Sequence, residues 1–317
     1  MVRIGFIGAG MVSELHKRAI DSVEDARLAA IYGATDADRK RAEEWGVKYY
    51  RDLAAFFKEV DAVYVLTPVE HHAVYALNAI DSGKPVFIEK PVAANSKEVE
   101  QIAARARAKK IPCMPGHNYI YDPSIWRIRG VIDTGDLGRL SSIWIIYTIY
   151  HTEEIAAHYP GIVQQILTHH FYVLNYLVGL PRRVAAMTTS LHYENLDRDD
   201  QALVMAEMQN GALACLFASF AADDDTVDPW TFLVKVFGTS GSAMHSWREL
   251  VVSRAIGTHS KAFIPYEESY AFEDEYFITR CLNGEEPLST IEDAANIQKL
   301  VEKVQQSASS ASFIDAG

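Results

Sequence analysis

Cysteine is scarce in this chain: Cys113, Cys215 and Cys281 are the only three in 317 residues. An odd number at wide spacing gives neither a disulfide framework nor a metal-ligand pattern, so small apolar residues in a reducing compartment are expected. Positive charge is also short. Thirty Lys and Arg against 42 Asp and Glu leave a net charge of −12. Phosphate neutralisation needs a basic surface, so a nucleic-acid partner is excluded. Long apolar runs are missing too. The most apolar stretch, Gly161 to Leu180, is interrupted by Gln164, Gln165, His169, His170 and Asn175, which is too polar for a membrane span. The chain enters a strand-like run at Val2 without a basic leader and apolar core, so no signal peptide is expected. There is no internal repeat and no low-complexity linker. A cytoplasmic protein is the expectation.

The composition is that of a globular protein, with 49% hydrophobic and 23% charged residues, and the length admits two domains. Val2 to Ile7 reads as a strand. It runs into Gly8-Ala9-Gly10-Met11-Val12-Ser13 and then a helical pattern from Met11 to Ser22. This is G-x-G-x-x-G with serine at the third position, in the strand–turn–helix setting of a dinucleotide site. The first glycine permits the tight turn and the second lets the backbone approach a pyrophosphate. The small third residue lets helix pack on strand. Backbone N–H groups at the helix start, from Gly10, Met11 and Val12, then meet the phosphate charge.

The next strand, Leu28 to Tyr32, ends at Gly33-Ala34-Thr35. A site for NAD places Asp or Glu there, on the ribose hydroxyls. Without it a 2′-phosphate is not repelled, and Thr35 and Arg39 are candidates to contact one. NADP is therefore preferred over NAD, the alternative being a solvated basic helix start. Asp36 reads as the helix cap. Further on, Ala62 to Leu66 is a continuous apolar run, as in a parallel strand covered on both faces. It ends at Thr67-Pro68, and Val69-Glu70-His71-His72 opens a helix to about Ser82. Val86-Phe87-Ile88 follows as another strand and stops at Glu89-Lys90-Pro91, since proline cannot donate to the ladder. Lys90 thus falls at the carboxyl end of a strand, the ligand-binding edge of an open parallel sheet. A solvated Glu-Lys pair would look the same. Ser96 reads as the cap of a helix to about Lys110, and a strand at Pro112 to Gly116 leads to His117-Asn118-Tyr119.

Strands and helices alternate to about residue 120, which predicts a doubly wound parallel sheet. After Pro123 the pattern changes. A helix over Ser124 to Thr134 leads to a long strand, Leu140 to Tyr150, and a helix over Gly161 to Leu177. Strand-like runs follow at Arg183 to Ser190, Ala202 to Met208, Ala212 to Phe220, Phe232 to Phe237, Ala243 to Trp247 and Leu250 to Ser253. Asn210-Gly211 is a hairpin signal. Helices are expected near Asp274 to Leu282 and over Ile291 to Ser310. The reading is an α/β Rossmann domain over residues 1–122 and an α+β domain over 123–317, built on a large, mostly antiparallel open sheet. The acidic runs Asp197 to Asp200 and Asp223 to Asp225 read as solvated turns, the alternative being that Asp200 begins a strand. Tyr147 to Tyr159 is either a sugar-recognition segment or a solvated loop. His151, His158, His169 and His170 show no metal-ligand spacing.

The order of motifs resembles the glucose–fructose oxidoreductase / inositol dehydrogenase family, Gfo/Idh/MocA. The likeness rests on Gly8-Ala9-Gly10, Thr67-Pro68 with His72, Gly83 to Pro91 with its Glu89-Lys90-Pro91, Gly116-His117-Asn118 and Gly135 to Gly138, and it covers nearly the whole chain. The resemblance implies an NAD(P)-dependent oxidoreductase of sugars, cyclitols or related polyols, a homodimer or homotetramer formed through the open face of the second sheet, and no metal. It implies that Lys90 contacts substrate hydroxyl and cofactor. It also implies cofactor contacts from Gly33, Thr67, Pro68, His72, Glu89 and Asn118, with Glu89 on backbone or cofactor amides. The family tends to carry an aspartate four residues before a histidine on the first long helix of the second domain. Counting back from Gly179 puts the histidine at His169 and the aspartate position at Gln165. Glutamine hydrogen-bonds but does not titrate. A shift of one would select His170, with Ile166 in the aspartate position. Ile120 stands where an arginine is often found. The implied catalytic group is Lys90, His169 and Gln165, with Asn118, Tyr150, His151 and His170 at the substrate. The alternatives are a same-fold reductase of a non-sugar substrate and a non-catalytic NAD(P)-sensing regulator.

Overall fold

The computed structural model describes residues 1–221, 230–247 and 263–316. Its contacts divide into two units: Met1–Tyr121 with Glu267–Gln298, and Asp122–Tyr266 with Lys299–Gly317. The chain thus returns to its first unit late. Glu267–Gln298, assigned by the sequence reading to the second domain, belongs to the first. Nothing local in the sequence marks that return, because helices α9 (Phe263–Thr279) and α10 (Ile291–Ser310) each run across a division.

The first unit alternates strand and helix: β1 (Val2–Ile7), α1 (Ser13–Asp21), β2 (Ala26–Tyr32), α2 (Asp36–Trp45), β3 (Lys48–Tyr50), α3 (Leu53–Glu59), β4 (Ala62–Val65), α4 (His72–Asp81), β5 (Val86–Ile88), α5 (Ser96–Lys109) and β6 (Cys113–Pro115). The sheet is parallel throughout, in the order β3-β2-β1-β4-β5-β6. The order reverses between β1 and β4, and in such a sheet ligands bind outside the carboxyl ends at that point. Strands β4 and β5 are buried at every residue, as their continuous apolar runs require. Two caps differ from the sequence reading. Thr35, not Asp36, caps α2, and Asn95, not Ser96, caps α5, each accepting from the backbone N–H three residues on.

The second unit contains α6 (Pro123–Asp133), β7 (Leu140–Thr148), the short α7 (Glu153–Ala156), a π-helical turn (Val163–Leu167), α8 (Thr168–Val178), and the strands β8 (Pro181–Thr189), β9 (Gln201–Met208), β10 (Leu213–Ser219), β11 (Thr231–Gly238), β12 (Ser242–Ser246) and β13 (Ile314–Asp315). They form a seven-stranded sheet in the order β12-β11-β7-β10-β9-β8-β13, antiparallel except between β7 and β10. The run Leu250 to Ser253 and the acidic run Asp223 to Asp225 lie outside the described residues. The helix expected near Asp274 begins earlier and spans Phe263–Thr279.

Register gives this sheet two unlike faces. Val234, Ile145, Leu216, Val204 and Ala186 stand in one row across five strands and are all buried. One residue along, Met244, Lys235, Trp144, Cys215, Met205 and Ala185 form the row on the opposite face. There Trp144 is 46% exposed, Met205 51% and Met244 60%. This face thus leaves large apolar side chains uncovered on either side of Lys235.

The Asp197 to Asp200 run is not a solvated turn. Asp199 lies at the start of the π turn, where its Oδ2 accepts from Val163 N–H at 2.8 Å and its carbonyl from Ile162 N–H at 2.8 Å. Asp200 is buried, and its Oδ2 accepts from His192 N–H at 2.6 Å. Their partners lie far along the chain or across a loop, so charge density alone misreads them. Among the described residues no helix is long and apolar enough to cross a membrane.

Candidate active site

Strand β1 delivers the chain into the glycine turn. Gly8 has φ of +86°, and a Cβ there would come within 3.1 Å of the Thr67 backbone at the end of β4. Both conformation and space therefore demand glycine. Gly10 and Met11 are exposed, and no side chain caps the start of α1. Ser13 and Leu15 N–H donate to Gly10 O and Val12 O at 3.1 Å, while among the described residues the N–H groups of Gly10, Met11 and Val12 make no intramolecular bond, the arrangement that receives a pyrophosphate. Ser13 is fully buried and its hydroxyl donates to Gly10 O at 2.5 Å, which closes the turn. Thr67 packs its backbone and Cγ2 against Gly8, and its Oγ1 is buried with no hydrogen-bond partner among the described residues. The residues present fit a dinucleotide.

The end of β2 differs from the sequence reading. Gly33 carries no side chain, but a carboxylate is present: Asp38 Oδ1 accepts from Ala9 N–H at 3.0 Å, in the middle of the glycine turn. Its Oδ2 accepts from Thr35 N–H at 3.1 Å and from Thr35 Oγ1 at 2.6 Å. Thr35 is thereby closed into a capping box, and Arg39 is exposed, 3.4 Å from Asp36. Thr35-x-x-Asp38 is a capping-box spacing visible in sequence. The second role of its carboxylate was not.

Strand β5 ends in Glu89-Lys90-Pro91, with the Lys90–Pro91 peptide cis. Lys90 is half-buried, and burial lowers its pKa, with Glu89 opposing. A lysine that releases its proton more easily is suited to acid–base work. His72 sits beside it as a strut. One ring nitrogen lies 2.6 Å from Thr67 O and the other 2.8 Å from Pro91 O, so it ties the end of β4 to the end of β5. The ring is buried and both nitrogens face carbonyls, so it does not contact a cofactor through them. Burial lowers its pKa, and the two carbonyls oppose that. Asn118 is buried too, its Nδ2 donating to Ser269 Oγ at 2.7 Å within the first unit. His117 meets Ser289 Oγ at 2.7 Å. Burial drives its pKa down to about 3, against Asp293 and helped by Lys90.

Glu89 departs most from expectation. Its carboxylate points inward, where Tyr270 OH donates to Oε1 at 3.5 Å and His16 Nε2 lies 3.9 Å away, not toward backbone or cofactor amides. His16, from α1, is fully buried and meets both oxygens of Asp274, from α9, at 3.0 Å. Burial disfavours the imidazolium, but Asp274 and then Glu89 outweigh it and raise the His16 pKa to about 9. Burial and the neighbouring carboxylates of Asp274 and Glu89 push Glu273 well above its ordinary value. The rings of Phe87, Tyr64 and Tyr270 wall in the imidazole at 5.0–5.4 Å between centroids. Sequence reasoning passed over His16 and Asp274. Their signals were one titratable residue on the inner side of α1 and an acid in the apolar part of α9, 258 positions apart.

In the second unit, His169 is buried, its ring parallel to that of Tyr147 at 6.3 Å, and its Nδ1 shares a hydrogen bond with Tyr172 OH. Gln165, half-buried, lies on the π turn one turn earlier. A hydroxyl three residues later on the same helix, Tyr172, thus orients the His169 ring. His170 is fully buried, has no hydrogen-bond partner among the described residues, and burial pulls its pKa to about 3, as for a ring packed in the core. Tyr150 is half-buried and edge-on to His192 at 6.2 Å. His151 packs on Phe220 at 5.1 Å and Tyr159 at 5.3 Å, so this segment is anchored and not a solvated loop. Among the described residues no group of His, Cys, Asp or Glu is placed to hold a metal ion.

The His16–Asp274 pair makes a prediction. A histidine whose folded pKa exceeds its unfolded 6.5 contributes stability that is full below 6.5 and lost as pH rises through about 9. Urea unfolding should therefore show stability falling across that window. Asp274→Ala should flatten most of that slope, since burial then favours the neutral imidazole with Glu89 alone opposing, and cost about 3 kcal/mol. A flat profile in the wild type would refute the pairing.

Comparison with known proteins gives the same answer for both halves of the chain. The model of an oxidoreductase family with an NAD-binding Rossmann fold matches residues 2–117, and the GFO/IDH/MocA C-terminal domain matches residues 125–244. An inositol 2-dehydrogenase of Rhizobium meliloti is 25% identical over 301 residues, covering 90% of each chain. The crystal structure of a putative myo-inositol dehydrogenase from Sinorhizobium meliloti superposes with a TM-score of 0.89 at 25% identity, covering 100% of both chains. That of GenD2 from gentamicin A biosynthesis, in complex with NAD, superposes with a TM-score of 0.85 at 20% identity, covering 99% of this chain and 98% of that one. With its glycine turn, its Glu89-Lys90-Pro91 strand end and both domain models matched in order, the chain belongs to the Gfo/Idh/MocA family of NAD-binding oxidoreductases.

Proposed function

We propose that the protein is a dehydrogenase that oxidises a secondary hydroxyl of a cyclitol or closely related polyol, of the inositol class. The observation that carries the reading is Lys90, half-buried with weakened hold on its proton, at the carboxyl end of the sheet whose β1 end presents an uncapped, glycine-lined helix start. The names of the inositol dehydrogenase relatives support the substrate class.

The dinucleotide, when bound, supplies the hydride acceptor. The protein must then hold the alcohol carbon in place and take the hydroxyl proton. Lys90 binds the reacting oxygen and accepts or shares its proton. His169 relays that proton, an imidazole having one ring nitrogen to accept and one to donate, and Tyr172 fixes its ring. Gln165 bonds a second hydroxyl, a task for an amide that needs no charge. His72 keeps the β4 and β5 ends in register, so that Thr67 and Lys90 hold a fixed separation.

Lys90→Ala should lower turnover of an inositol-class substrate by about 10²–10⁴-fold, with dinucleotide affinity little changed. A panel of inositols, aldoses and ketoses, assayed with both nicotinamide dinucleotides, tests the class. Tight dinucleotide binding without turnover of any polyol would overturn the reading, as would an active Lys90→Ala enzyme.

The apolar face of the second sheet is proposed to join copies of the chain into a homodimer or homotetramer, which would cover Trp144, Met205 and Met244. Light scattering should report an oligomer for the wild type and a monomer for Trp144→Glu with Met205→Glu. A monomeric wild type would contradict the assignment.

A further inference from the structure

We propose that Asp38, reaching back from α2 into space left open by Gly33, supplies the carboxylate that recognises the adenosine ribose and makes the site select NAD over NADP. The inference rests on the dinucleotide reading of the first unit and deepens it. It also reverses the sequence expectation of NADP, which rested on the absence of an acid at the end of β2.

Gly33 has no left-handed φ that would call for glycine. Space calls for it instead. A Cβ at this position would lie 2.4 Å from Asp38 Cβ and Cγ and 2.5 Å from its Oδ2. The missing side chain at the strand end and the carboxylate arriving from the helix therefore form a matched pair. The carboxylate lies beside Gly33 at the strand end and against the glycine turn. Its Oδ1 accepts from Ala9 N–H at 3.0 Å.

A count of acceptor sites shows what remains. An ionised carboxylate offers about four lone-pair sites. Oδ2 uses its share on Thr35 N–H and Thr35 Oγ1, and Oδ1 spends one on Ala9 N–H. One site on Oδ1 is left, beside the turn that receives the pyrophosphate, for a hydroxyl donor. A ribose 2′-hydroxyl is such a donor. A 2′-phosphate carries no proton to offer at neutral pH in its main form and brings negative charge against a carboxylate. The capping box of α2 needs only Oδ2. The bond from Oδ1 to the glycine turn exceeds what the helix requires.

The hydroxyl that a 2′-phosphate would meet is committed to the capping box. Thr35 Oγ1 accepts from Asp38 N–H at 3.1 Å and donates to Asp38 Oδ2. Arg39 NH2 lies 3.4 Å from Asp36, and Arg51 Nε donates to Tyr49 OH at 3.3 Å.

The test measures dissociation constants of NAD⁺ and NADP⁺ for the full-length protein by calorimetry, without substrate. The wild type should bind NAD⁺ more tightly by about tenfold or more, the worth of one hydrogen bond to a charged group. Asp38→Asn keeps the shape and removes the charge, and should move the ratio toward NADP⁺ by about the same factor. Gly33→Ala leaves Asp38 in the chain but drives its carboxylate out, and should move the ratio in the same direction. Were Asp38 only a strut, both dinucleotides would weaken equally and the ratio would stay fixed, which overturns the proposal. A wild type that binds the two equally, or prefers NADP⁺, overturns it as well while leaving the dinucleotide reading intact. Binding of neither would fail that reading and the proposal together.

Discussion

An imidazole held between carboxylates in a dry interior ties the first unit together. His16 lies one turn past the glycine loop, Asp274 on a helix contributed from late in the chain, and Glu89 directly before Lys90. Burying these groups is costly unless each is paired, and removing one partner leaves the other uncompensated. The pair therefore fixes α1, and with it the start that receives phosphate, against α9 and the end of β5. The aromatic rings around it exclude water and strengthen the attraction. Lys90 stands at the edge of this cluster. Its weakened proton affinity follows from the same desolvation, moderated by Glu89.

The carboxyl edge of the parallel sheet is organised as a series of fixed separations. Gly8 allows β1 to approach Thr67 closely, and His72 bridges Thr67 to Pro91. Asp38 bridges α2 to the glycine turn. Each bridge joins a residue at one strand or helix end to backbone at another, so the edge is rigid before any ligand arrives. Preorganised sites of this kind spend less binding energy on ordering.

Much of this was legible in the sequence, for physical reasons. Buried parallel strands read as continuous apolar runs at Ala62 to Leu66 and Val86 to Ile88, and the glycine turn has a spacing dictated by sterics. Lys90 at a strand end followed from Pro91. Alternation in β7, β9, β10 and β11 follows from a sheet with one covered face. What escaped was long-range. Asp274 meets His16 across 258 positions, and α9 returns to the first unit with no composition shift to announce it. Asp38 looked like a helix residue because one of its roles is local. His170 and Asn118 were expected at the substrate; both are buried, Asn118 on Ser269 Oγ. Thr35 was read as a phosphate contact, but its hydroxyl is consumed by its own helix.

The most direct test of the account is a crystal structure of the protein with NAD⁺ and an inositol bound. The account predicts the pyrophosphate on the N–H groups at Gly10 to Val12, the adenosine ribose on Asp38, and a ring hydroxyl within hydrogen-bonding distance of Lys90 Nζ. A dinucleotide seated away from the glycine turn, or a cyclitol bound without contact to Lys90, would contradict it.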